Sequence, residues 1–88
     1  MDAHTRADVL KRLNYIDGHL QGVRKMIEEE QYCVDVMKQT FAVRRAIEKM
    51  EAQMLEGHLH HCVLDAVQRG ETDEVLGELV ELYRLAIK

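Results

Sequence analysis

The run CVDVMKQTFAVRRAIEKMEAQMLEGHLHHCVLDAVQR, residues 33–69, decides the fold. It holds no proline, and Gly57 is its single weak point. Val36, Val43, Ile47, Met50 and Met54 form one apolar stripe at helical spacing, and Leu55, Leu59, Cys62 and Ala66 form another. One helix from about Cys33 to Arg69 is expected. At about 1.5 Å per residue it exceeds roughly 50 Å, far longer than a lone globule of 88 residues requires. A helix of that length with apolar residues on more than one face calls for a partner subunit.

N-terminal to this rod, Val9, Leu13, Ile16, Leu20, Val23 and Ile27 alternate spacings of four and three, an unbroken heptad seam. Asp2 or Thr5 is positioned to cap that helix, and Glu28, Glu29 and Glu30 mark its polar end. Gly18 and Gly22 fall on one face, where they are expected to let another helix approach closely. C-terminal to the rod, Gly70 reads as a C-cap and Thr72 as the N-cap of a last helix. Asp73 and Glu74 in its first turn suit the helix dipole, and Leu76, Leu79, Tyr83 and Ala86 supply its apolar face. The expectation is an all-α, three-helix subunit forming one domain over residues 1–88, without linker or repeat.

Composition agrees with helices and narrows the function. Hydrophobic residues make up 47% and charged residues 32%, a globular balance, and proline is absent. No run of about 18 apolar residues is available to span a membrane, and the first residues lack the apolar core of a secretory signal. A cytoplasmic location is expected, and there the two cysteines point to reactive, metal-binding or incidental thiols rather than a structural disulfide. The net charge of −4 hides an asymmetry: residues 1–50 carry nine Lys/Arg against eight acids, whereas residues 51–88 carry three against eight. One end of the molecule is therefore suited to face phosphate, and the other is not.

The chemically loaded stretch is Gly57-His58-Leu59-His60-His61-Cys62. His58 and Cys62, four apart, project from one helical face, and an imidazole with a thiolate makes a clamp for a soft or borderline metal. The remaining thiol, Cys33, is the obvious third donor. It precedes His58 by 25 positions, or about 38 Å along a continuous helix, so one chain cannot bring all three together. Two such helices running antiparallel about a twofold axis near Ala46 would place Cys33 of one beside His58 and Cys62 of the other. Residues and spacing alone leave a second reading equally open, in which Cys62 is a small core residue and the histidines are solvated. His61 lies about 60° round the helix from His58 and is a candidate additional ligand, as is His4 near the N-terminus. No Gly-rich phosphate loop and no serine nucleophile elbow appear, so no enzyme is expected.

The pattern Arg12-Leu13-x-x-Ile16-x-Gly18-x-Leu20-x-Gly22-Val23-x-x-Met26-Ile27-Glu28, then Tyr32-Cys33-x-Asp35, Gln39 and His58-x-x-x-Cys62, resembles the copper-sensitive operon repressor family over nearly the whole chain. The resemblance implies an antiparallel helical-bundle homodimer that pairs again into a homotetramer. It also implies an intersubunit Cu(I) site of Cys33, His58 and Cys62, with Tyr32 and Glu78 around the ligands. Operator DNA is the implied partner, bound without metal and released with it, so that metal efflux or handling genes are derepressed. Arg12 matches a position of DNA contact in the family. Lys11, Arg24, Arg44, Arg45 and Lys49 are further candidates because they lie in the basic half. No helix-turn-helix is evident, so phosphate contacts and DNA shape are expected to carry much of the binding. His19 departs from the family pattern, which usually has Gln there. Two thiolates favour Cu(I); Ni(II) or Zn(II), aldehyde or persulfide inducers, and a cytosolic copper buffer without DNA binding are the competing readings.

Overall fold

Helix α1 (Ala3–Glu28) starts where Asp2, in an extended conformation, accepts the Thr5 amide on Oδ2 at 3.0 Å. Of the two residues expected as cap, Asp2 does the capping. The helix stops in a Schellman turn: the Glu30 amide donates to the Ile27 carbonyl and the Gln31 amide to the Met26 carbonyl. That turn needs a left-handed residue, and here it is Glu30, at φ 57°, rather than glycine. The computed structural model describes residues 1–88, and every regular element in it is helical.

The expected rod is present. Helix α2 (Cys33–Gly57) runs into a π-helical turn (His58–Val63) and on into α3 (Leu64–Gln68). Gly57, His58, Val63 and Leu64 all keep right-handed helical angles, so the three segments form one uninterrupted helix. Gly70 ends it at φ 81° in a second Schellman turn, with the Glu71 amide on the Ala66 carbonyl. Helix α4 (Thr72–Ala86) follows. Thr72 does not cap it: the flanking position is Glu71, no side chain caps the first turn, and Thr72 is already helical.

Helices α1 and α2 pack as an antiparallel hairpin, tied by Arg12 Nε donating to Gln53 Oε1 at 2.9 Å and by His19 Nε2 meeting Gln39 Oε1 at 2.8 Å. The α1 seam divides between two destinations. Val9, Ile16 and Val23 are buried, and Ile16 and Val23 close on Val43 of α2. Leu13, Leu20 and Ile27, the other half of the seam, are exposed. Along the rod, Val43 and Ala66 are buried whereas Met54, Leu55 and Leu59 are exposed; on α4 only Val75 is buried, while Leu76 and Tyr83 lie open. Gly18 and Gly22 make no close approach within the subunit: a Cβ at either would meet nothing within 4 Å. The glycine that does is Gly57, where a Cβ would stand 2.5 Å from Thr5 Oγ1 and 3.0 Å from Thr5 Cβ.

The isolated subunit is thus far from a closed globule. Its radius of gyration is 17.2 Å, against about 12 Å for a compact chain of this length. It exposes 7086 Å², whereas a folded monomer of 10.2 kDa should expose roughly 5,300 Å². The surplus is about twice what each partner buries in a standard protein–protein interface. The apolar half-seams supply its chemistry.

Candidate metal centre

Cys33 is the first residue of α2 and is exposed, following Tyr32, which forms the N-terminal boundary of the helix and is itself exposed. His58 and Cys62 sit at the far end of the same rod, both half-buried, as the first and fifth residues of the π-turn. Both cysteines are free thiols. The continuity of α2 into the π-turn keeps Cys33 about 38 Å from His58, and no group of three or more His, Cys, Asp or Glu in the subunit is arranged to hold a metal ion. The three candidate donors thus lie apart in one chain, Cys33 at one end of the rod and His58 and Cys62 at the other.

The π-turn is a local feature with a bearing on the donors. Hydrogen bonds that reach back five residues rather than four widen the turn, altering the angle and shortening the axial step between His58 and Cys62 relative to an α-helix. Such turns are rare, and they concentrate at functional sites. The periodicity of the sequence carries no mark of it, because a four-residue spacing puts His58 and Cys62 near one face in either geometry.

The additional candidates have partners elsewhere. His4 Nε2 lies 3.4 Å from Asp8 Oδ2 on the open side of α1. His61 Nε2 faces Asp2 Oδ1 at 3.5 Å, which joins the π-turn to the cap of α1. Hydrogen bonding from Thr5, through its side chain and its amide, holds the Asp2 carboxyl at about 2, below its ordinary 3.8, and His61 nearby acts in the same direction. The sequence marks Asp2 as a cap but not as a neighbour of His61, since nothing in either residue's local pattern reports a partner 59 positions away. Glu78 stands exposed on α4, and Tyr32 stands exposed beside Cys33, at the other end of the rod from His58 and Cys62.

The basic candidates are spread over α1 and α2. Arg12 is half-buried and oriented by Gln53. Arg44 stacks over the Phe41 ring at 5.2 Å, while Lys11, Arg24, Arg45 and Lys49 are exposed. The ion pairs of the subunit engage Lys25 and Arg69 but none of these six. Their charge is therefore available to phosphate.

Residues 5–84 match the metal-sensitive transcriptional repressor family. Among curated proteins the chain is similar to the copper-sensing transcriptional repressor CsoR of Bacillus subtilis, 36% identical over 76 residues, covering 86% of this chain and 75% of that protein. Mycobacterial proteins of the same name are 42% identical over 75 residues, although the chain spans only 63% of their length. Among solved structures, CsoR with Cu(I) from Geobacillus thermodenitrificans superposes with a TM-score of 0.93 at 33% identity, covering all of this chain and 92% of that one. The nickel-responsive transcriptional regulator InrS superposes with a TM-score of 0.76 at 34% identity, covering 89% of each chain.

Proposed function

Because the chain belongs to the metal-sensitive transcriptional repressor family, we propose that it holds operator DNA when metal-free and releases it when Cu(I) is bound between Cys33 of one chain and His58 and Cys62 of the partner subunit. The family is one of repressors, not enzymes. One observation carries the assignment of the site: an uninterrupted rod holds the lone thiol and the His–Cys pair apart at its two ends, while the subunit leaves Leu13, Leu20 and Ile27 of α1 and Met54, Leu55 and Leu59 of the rod uncovered. An antiparallel second copy answers both needs at once, giving two equivalent sites per dimer. Pairing of two dimers through the remaining apolar surface, including α4, would complete a homotetramer.

The donor set fits the ion. Two thiolates and one imidazole are a soft, low-coordinate environment, and both thiols are free, with Cys33 exposed and Cys62 half-buried. Cu(I), when bound, would supply strong thiolate and imidazole bonds that tie one chain to the other. Cys33 presents its sulfur at the exposed start of α2, and His58 and Cys62 present their donors from a single turn. Tyr32 beside Cys33, and Glu78 on α4, would extend that junction to the last helix. Cys62 in place of a second imidazole, and His4 paired with Asp8, favour copper over Ni(II) or Zn(II).

Arg12, Lys11, Arg24, Arg44, Arg45 and Lys49 would provide the phosphate-facing charge. DNA release requires that the metal bind the low-affinity state of the assembly better than the DNA-binding state. The protein would act in the cytoplasm, where the operator is.

The test is an anaerobic titration of the reduced protein on its operator with Cu(I), Ni(II) and Zn(II) in parallel. Release near one equivalent of Cu(I) per chain is expected. Unchanged DNA affinity at saturating Cu(I) rejects the repressor mechanism, and Cu(I) uptake without any DNA binding at low salt would make the protein a copper buffer.

A further inference from the structure

The N-terminus of α1 docks onto the π-turn at two points that the metal donors leave unused. Thr5 packs on Gly57, the residue just before the turn, closely enough to exclude any side chain there. Asp2 divides its carboxylate between two tasks. Oδ2 accepts the Thr5 amide at 3.0 Å and starts the helix. Oδ1 is shut off from solvent without a hydrogen-bond partner, and the group facing it is His61 Nε2 at 3.5 Å. A carboxylate oxygen removed from water and left unpaired is unfavourable, so a small movement of His61 towards Oδ1 is favoured and movement away is opposed. His61 lies between His58 and Cys62 on the π-turn, so any change in that turn's winding moves its imidazole.

From this geometry we infer that Asp2 is a positioning residue, which holds the turn bearing His58 and Cys62 in place through His61 and so links that turn to helix α1. The linked helix is also the one that presents Lys11 and Arg12, and Arg12 is itself tethered to Gln53 one turn before Gly57. A shift of the turn when its donors and the partner's Cys33 share a metal ion would pass through Asp2 to the cap of α1, and on to its basic face. The consequence for DNA rests on the repressor reading above; the restraint on the turn does not.

Asp2→Ser separates the two tasks, since serine caps a helix about as well as aspartate but has no second oxygen for His61. Amide hydrogen exchange of the metal-free full chain is the primary readout. In Asp2→Ser and in His61→Ala, amides of residues 58–64 should exchange about two- to fivefold faster, the range for a single polar contact with one partner in solvent, with the first turn of α1 unchanged in the serine variant. The double variant should exchange no faster than either single one. Unchanged exchange in the turn, additive effects, or a loss of protection spread over the whole chain would each overturn the inference, whatever the protein does with copper or DNA. With operator present, the Cu(I)-induced drop in DNA affinity should shrink by a similar factor in both single variants. A drop of wild-type size in both would show that the link does not reach α1, and loss of Cu(I) uptake in His61→Ala would make His61 a ligand rather than a positioning residue.

Discussion

Gly57 lies against Thr5 so closely that a Cβ at position 57 would meet the threonine hydroxyl at 2.5 Å and its methyl at 2.7 Å. The neighbour cannot swing clear, because the β-branched side chain is stiff and its Cβ too is within 3.0 Å. Helix propensity argues for alanine at this position by about 1 kcal/mol, and overpacking argues against it by about 1–3 kcal/mol. Gly57→Ala should therefore destabilise by about 1 kcal/mol net in denaturant unfolding. Adding Thr5→Ala should recover the loss and let the helix propensity of alanine show. A Gly57→Ala chain more stable than the parent would contradict the close packing.

Glu30 is the converse case. It occupies a left-handed position at φ 57° in the turn that ends α1, and its side chain is exposed. Glycine removes the strain of that conformation but loosens the unfolded chain, leaving a net gain of about 0.5–1 kcal/mol. Glu30→Gly should raise the denaturant midpoint without altering metal uptake; a lowered midpoint would mean that the carboxylate has a role in the turn.

The carboxyl of Asp2 is held at about 2 against its ordinary 3.8, first by hydrogen bonding from Thr5. A carboxylate whose folded value is depressed contributes stability that is fully present above the unfolded value and disappears as pH falls through the folded one. The cap of α1 should thus persist through pH 4 and fail between about 3.8 and 2. Carboxyl carbon NMR titration should place the Asp2 midpoint near 2, and Thr5→Ala should move it towards 3.8. A midpoint at 3.8 in the parent chain would remove the cap.

For the DNA face, removing one cation that neutralises a phosphate should flatten the dependence of log affinity on log salt by about 0.9. Lys49→Ala and Arg45→Ala, on the exposed side of α2, should weaken binding to all sequences alike. Arg12→Ala should do the same and, by freeing Gln53, also loosen the α1–α2 hairpin. A variant that leaves both affinity and slope unchanged excludes that residue from the interface.

The rod from Cys33 to Gln68 is legible in the sequence because an apolar pattern without proline has one helical solution, and Gly70 stops it in the way its freedom at positive φ allows. Thr72 misleads because a capping residue type one position inside a helix looks the same in sequence as one at its boundary. For Gly18 and Gly22, spacing reveals that two small residues share a face, not which helix meets it, and within the subunit none does. The π-turn is invisible at the level of periodicity. The heptad seam of α1 is plain as a set of apolar positions, but only three-dimensional packing separates Val9, Ile16 and Val23, which the subunit buries, from Leu13, Leu20 and Ile27, which it does not.

That division between what one subunit completes and what it leaves open is also the division within the proposed metal centre, and it can be measured by mixing two defective chains. Cys33→Ala lacks the lone thiol, and a His58→Ala/Cys62→Ala chain lacks the paired donors, so neither alone should bind Cu(I) tightly. In a mixed antiparallel dimer one site loses all three donors and the other keeps all three. Random re-assortment of equal amounts should restore roughly a quarter of the wild-type number of tight sites. No recovery after verified mixing, or tight binding by either variant alone, would contradict a centre built from two chains.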